Sequence, residues 1–299
     1  MSGWETPSSA RKRERVSMYL HSPMSGTPVG KILRSSSIVP SSSRSTQSMS
    51  ETPGSVLGTG EYACVVPGDI CPPSTNKPVF TYNMVSKIVE DQDEIAKINT
   101  TTQQLQTVPN WDTVLIHPLY SCTIDQPPTG CTKKGTSPLS VFVMRQGIPL
   151  DKYLQQPIAD KGQLYDTVTE CLRTYKLIFH KLEETERRNK DSPIKWLHGD
   201  IKLDNIVILH SNGGISARLI DYNPYSELVK SATIASDTDR ITEILVDILK
   251  KFGIRGYNEK NTGLVTKTFQ QIYTEYQSQE AERKAKQTAA ASTARRIAF

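Results

Sequence analysis

The stretch from Trp196 to Asn223 constrains this chain most. Two short β-rich runs, Ile206-Val-Ile-Leu209 and Ala217-Arg-Leu-Ile220, flank Asn212-Gly213-Gly214. Such runs around an Asn-Gly pair read as a β-hairpin. Asn205 stands just before the first strand and Asp221 just after the second, and antiparallel pairing returns both to the same end of the hairpin. The loop that feeds the hairpin carries Asp200 and Lys202. One small β unit therefore gathers an Asp, a Lys, an Asn and a second Asp. The two hard oxygen ligands, Asn205 and Asp221, suit a phosphate-bound Mg2+, which keeps several waters and takes few protein ligands. The further carboxylate suits a hydroxyl that has to be oriented, and the lysine suits a phosphoryl group in transfer.

His198-Gly-Asp-Ile-Lys-Leu-Asp-Asn205 resembles the catalytic loop of protein kinases, His-Arg-Asp-Leu-Lys-x-x-Asn, and Asp221-Tyr-Asn223 resembles their Asp-Phe-Gly. The resemblance runs from about Leu57 to Leu249, and the His-Gly-Asp form is similar to that of divergent kinases of large DNA viruses. It implies a two-lobed, protein-kinase-like α+β fold, with a β-rich N-lobe over residues 51–147 and a reduced, mainly helical C-lobe over residues 148–277. It implies ATP and Mg2+ as cofactors and the Ser/Thr hydroxyls of proteins as acceptors. On this likeness Asp200 orients the acceptor and takes its proton, Lys202 steadies the γ-phosphate, and Asn205 and Asp221 hold the metal.

The same likeness assigns residues upstream. Val56-Leu-Gly-Thr-Gly-Glu-Tyr-Ala-Cys-Val-Val66 sets Gly58, Gly60 and Ala63 at the spacing of a kinase glycine-rich loop, with Leu57 and Val65 expected beside the nucleotide. Val85-Ser-Lys87-Ile resembles the Val-Ala-Ile-Lys strand, so Lys87 is expected on the α- and β-phosphates. Glu94 best matches the glutamate that pairs with this lysine, although Asp91-x-x-Glu94 also reads as a capping box at a helix start. Leu139 to Gly147 reads as a strand running into a hinge, where Met144 would guard the pocket and Arg145, Gln146 and Gly147 would line it. Asp237 is the closer match to the aspartate that anchors the catalytic loop, with Asp239 second.

Three departures stand out. Gly199 replaces the arginine that usually reads a phosphorylated activation segment, Asn223 replaces a glycine, and no Ala-Pro-Glu region follows. The short segment points to constitutive activity and leaves the substrate type open. Aminoglycoside and choline kinases share His-Gly-Asp-x-x-x-x-Asn, which makes a small-molecule kinase one alternative, but Lys202 resembles the Ser/Thr protein kinases instead. A catalytically inactive pseudokinase scaffold is another alternative, although Lys87, Asp200, Lys202, Asn205 and Asp221 are all present.

The remaining chain is read from pattern. Residues 1–50 are rich in Ser, Pro, Thr and Arg and offer little to bury, as expected of a disordered arm. The arm is a substrate available in cis, and Arg11-Lys-Arg-Glu-Arg15 reads as a nuclear-import signal, an anionic-surface contact or a solvated basic run. A strand is expected over 79–89, a further one within 111–120 and a loop over 122–137. Helices are expected from Pro149 (capped by Asp151), along Leu164–Leu182, along Ala235–Leu249 and along Val265–Tyr276, followed by a polar tail over 278–299 that is a frayed helix or disordered. Five cysteines without a Cys-x-x-Cys read as those of a reduced intracellular protein of the cytoplasm or nucleus. No apolar run approaches bilayer length, so a membrane is not an expected partner, and the kinase resemblance implies protein substrates as partners. A net charge of +5 without a known module ranks nucleic acid last.

Overall fold

The computed structural model describes residues 56–59, 63–73, 82–90, 93–131, 138–186, 195–211, 213–224, 227–258 and 260–297, all within one compact unit, Ser50–Phe299. The Ser-rich arm with Arg11–Arg15, Gly60, Asp91 and the turn residue Asn212 lie outside the described residues.

The fold is α+β, with antiparallel sheets and several helices. The first sheet contains β1 (Gly58–Thr59), β2 (Ala63–Pro67), β3 (Met84–Val89), β4 (Tyr120–Ile124) and β5 (Leu139–Arg145), in the order β1-β2-β3-β5-β4. Helix α1 (Asp93–Leu105) follows β3. Leu139, Val141 and Val143 of strand β5 pack with Cys64, Val66 and Ile88 on one face. Ser86 is buried there because its hydroxyl donates to Gly68 O at 2.8 Å and accepts from Ile70 N at 3.2 Å.

The second sheet is β6 (Ile148–Pro149), β7 (Ile206–Ser211) and β8 (Gly214–Leu219), in that order. It packs against helices α2 (Leu150–Tyr153), α3 (Lys161–Tyr175), α4 (Lys181–Glu186), α6 (Ile234–Lys251) and α7 (Phe269–Ile297) through one large apolar core, with the short helix α5 (Glu227–Ser231) outside that cluster. The expected long helix is α3 continuing through a π turn, Lys176–His180, into α4. Asp160 caps α3 by accepting from Gln163 N at 2.8 Å. Thr233 and Ser236 form a reciprocal capping box on α6, and Gly253, at φ 83°, follows its end.

Several expectations are corrected. Residues 111–120 hold a 3-10 turn at Trp111–Thr113 and an isolated bridge from Leu115 to Leu219 in place of an independent strand. Cys122 sits in β4 and not in a loop. Asp151 lies inside α2, whose preceding residue Pro149 makes no side-chain cap. Of the two readings of the polar tail, helix or disorder, the helix holds, through Ile297, supported by spaced charges such as Arg283 with Glu280 at 2.9 Å and Lys286 with Glu282 at 2.6 Å. Cys64 is bonded to Cys131 and Cys71 to Cys122, with Cα separations of 6.0 and 5.9 Å, which leaves Cys171 free and buried. The expectation of five reduced thiols fails because the sheet brings β2, β4 and the loops after them together, a proximity invisible in linear spacing. Among the described residues no helix is long and apolar enough to cross a membrane.

Candidate active site

The hairpin β7–β8 forms in the expected register, with Ile206 opposite Leu219. Ile220 N donates to Asn205 O at 2.9 Å, so the residues flanking the two strands are held side by side. Asp221 follows at φ 59°.

The loop entering the hairpin is fixed from below. Asp237 on α6 accepts from His198 N and Gly199 N, both at 3.3 Å, and from the Tyr175 hydroxyl at 2.6 Å. The anchoring role read for Asp237 over Asp239 is therefore what the structure holds. Burial pushes the Asp237 carboxyl up, but nearby His180 and the Tyr175 hydroxyl outweigh it and hold the group below the usual carboxylate range. His198 Nε2 donates to Ile220 O at 2.8 Å, which assigns its proton to that nitrogen and ties the loop to the exit of β8. Burial holds this imidazole below its ordinary value, hence neutral.

Above this base the polar residues converge. Asp200 Oδ2 accepts from Lys202 Nζ at 2.7 Å and from Asn205 Nδ2 at 2.9 Å. Asn205 Nδ2 also donates to Asp200 O at 2.8 Å. Both contacts use the amide nitrogen, which leaves Asn205 Oδ1 without a protein donor among the described residues. Asp221 Oδ1 accepts from Lys87 Nζ at 2.7 Å. The Asp221 side chain is 43 % exposed. Burial pushes its carboxyl up, and the Lys87 ammonium, with Lys202 beyond it, outweighs this and holds the group below its ordinary value, so it is ionised at neutral pH.

Lys87 reaches Asp221 from the other sheet. On β3 it stands opposite Val65 of β2 and Phe142 of β5. Val65 in turn faces Gly58, and Leu57 N donates to Val65 O at 2.8 Å. Gly58, Val65 and Lys87 thus lie in one row across the sheet, with Leu57 one residue along from Gly58. Met144 stands opposite Val85, and Gln146 N donates to Asn83 O at 2.9 Å. A Cβ at Gly147 would come within 2.8 Å of Val207 Cβ, so only glycine lets this crossing run so close to β7.

A cavity of about 310 Å³ lies between the two sheets and α1, lined among others by Lys87, Glu94, His117, Phe142, Met144 and Asp221. Glu94 borders it without an ion pair to Lys87, whose ammonium is taken by Asp221. Glu94 sits in the first turn of α1, directly after a short link from β3. Sequence reasoning missed His117, which lines the cavity while buried against α1. Thr102 Oγ1 donates to Ile98 O at 2.7 Å, and His117 Nε2 then donates to Thr102 Oγ1 at 2.7 Å. No local pattern around His117 signals this contact. A larger cavity, about 640 Å³, lies between α3 and β8 and contains none of the converging residues. The chemistry-bearing groups, and not volume, mark the site.

Among the described residues no group of three or more His, Cys, Asp or Glu side chains is placed to hold a metal ion. The open Asn205 Oδ1 and the ionised Asp221 fit an ion that arrives on a phosphate and needs few protein ligands. The chain matches no family model and no curated protein.

Proposed function

We propose that this chain transfers the γ-phosphoryl group of ATP, with Mg2+, to Ser/Thr hydroxyls of proteins, on a two-lobed kinase-like scaffold. The observation that carries the reading is the convergence of Asp200, Lys202, Asn205, Asp221 and Lys87 through hydrogen bonds of 2.7–2.9 Å. Phosphoryl transfer asks a protein for positioning and charge neutralisation more than for covalent chemistry. Asp200, held by Lys202 and Asn205, orients the acceptor hydroxyl and takes its proton. Lys202 lies beside it, where negative charge on the transferred group would be met by its ammonium. Asn205 Oδ1 and Asp221 would hold Mg2+, which supplies charge neutralisation on the phosphates. Lys87 moves from Asp221 to the α- and β-phosphates when nucleotide enters, and Gly58 and Val65 share its cross-strand row on the same sheet.

The test is label transfer from γ-labelled ATP with Mg2+, comparing the wild type with Asp200→Asn on a basic protein, on the chain itself and on small hydroxyl compounds. Label on protein, lost in the variant, is the expected result. Label on small compounds alone would move the chain to the aminoglycoside-kinase side, and none at all would overturn the reading.

A further inference from the structure

The segment between Asp221 and α6 is short, yet it is fastened at several points. Its first turn is held by Tyr222, buried with its ring 5.4 Å from Phe179 and 6.1 Å from His198. It then forms α5, whose Val229 is fully buried. Val229 lies against the catalytic loop at Gly199. A Cβ on Gly199 would come within 3.0 Å of Val229 N, Cα and Cγ2, and Gly199 has φ +73°. Both facts demand glycine there: the backbone is left-handed, and α5 leaves no room for a side chain. The far end of α5 is clipped by Lys195, which opens the loop. Lys195 Nζ donates to Lys230 O at 2.5 Å and to Ala232 O at 3.1 Å. A cation on the last carbonyls of a helix satisfies acceptors that have no partner within the helix.

We infer that α5, seated on Gly199 and clipped by Lys195, locks the catalytic loop in working geometry in place of a phosphorylation-gated segment, so that the chain is active as made. The inference rests on the phosphotransferase reading and adds its regulation. Where a gate opens by phosphorylation, a cation must be placed to receive the new phosphate. Here the loop position next to Asp200 is a glycine covered by Val229, and the Lys195 ammonium already bonds two backbone carbonyls. Lys195 is therefore a positioning residue: it touches no reacting atom and acts through the backbone of the loop.

The experiment uses the full chain, a basic protein as acceptor and saturating Mg·ATP. Wild type is assayed before and after exhaustive phosphatase treatment, beside Lys195→Met and Lys195→Arg. The expected result is a linear, lag-free initial rate that phosphatase leaves unchanged. Lys195→Met should lose about tenfold in kcat, with KM for ATP within about twofold of wild type, and Lys195→Arg should regain most of the loss. A rate abolished or delayed by phosphatase overturns the inference while leaving the phosphotransferase reading standing. A Lys195→Met variant with wild-type kcat overturns it as well. If Lys195→Met does not fold, the phosphatase comparison decides alone. Absence of transfer by wild type in either state removes the phosphotransferase reading itself and the inference with it.

Discussion

Asp221 and Asn110 are the two non-glycine residues with positive φ among those described. A non-glycine residue in the left-handed region costs on the order of 1–3 kcal/mol and persists where its surroundings enforce it. For Asp221 those surroundings are the Lys87 ammonium and the His198–Ile220 hydrogen bond one residue upstream. Asn tolerates the same backbone, so Asp221→Asn should fold normally. It should nonetheless lower kcat/KM by at least about a hundredfold and raise the Mg2+ concentration needed for half-maximal rate. Glu94→Gln should change kcat/KM by less than about threefold, because no Lys87–Glu94 pair exists to be lost. Steady-state rates across an Mg2+ titration check both. These two carboxylates also mark how far sequence reaches at this scale. Asp200, Lys202, Asn205 and Asp221 fall within one loop and one hairpin, so local spacing sets their mutual positions. The partner of Lys87 depends on where α1 docks, and a competing capping pattern at Asp91–Glu94 gave no means of choosing.

Among elements, α1 owes part of its seat to His117. This imidazole is 7 % exposed, and burial lowers its pKa from 6.5 to about 4, against a smaller opposing effect of the Ile98 carbonyl. Between those values the unfolded chain binds a proton that the folded chain does not. Its stabilising contribution is therefore complete above about pH 6.5 and is lost as pH falls toward 4, by up to about 3 kcal/mol. Urea midpoints at several pH values should show this slope, and His117→Gln, which keeps a donor for Thr102 but does not titrate, should flatten it. The disulfides act on β2 and β4. Titration of thiols in denaturant should find one without reductant, Cys171, and five with it. Reduction should cost roughly 2–4 kcal/mol per bridge. The hairpin and α3 were readable because their periodicity is local. Strand β4 was not, since the Pro- and Thr-rich composition after it masks a strand that exists by pairing with β5. Nor could five cysteines, odd in number, announce two bridges closing separations of 67 and 51 residues.

At the scale of the molecule, the two sheets are joined by backbone and by charge. Leu219 N donates to Val114 O and Ile116 N to Leu219 O, each at 2.8 Å, so the link between α1 and β4 is stitched to the last residue of β8. This stitch, in a segment whose residues read as an independent strand, places Asp221 within reach of Lys87. The ion pair Lys87–Asp221 then spans the cavity that the proposed nucleotide would enter. A ligand that bonds both sides of such a cavity binds the folded chain alone and must raise its melting temperature. At a hundred times Kd the gain is about 2.7 kcal/mol, which in a domain of this size is roughly 5–10 °C. Mg·ATP should produce that rise in wild type. Lys87→Met should abolish it, because the phosphates lose their cation on the first sheet. Asp200→Asn should keep it while losing transfer, because Asp200 acts on the acceptor and not on the nucleotide. Scanning calorimetry with and without Mg·ATP separates the two roles. If Asp200→Asn lost the shift as fully as Lys87→Met, the division of labour between loop and sheet would be wrong. If wild type transferred label without any shift, nucleotide would be held elsewhere than between the two sheets.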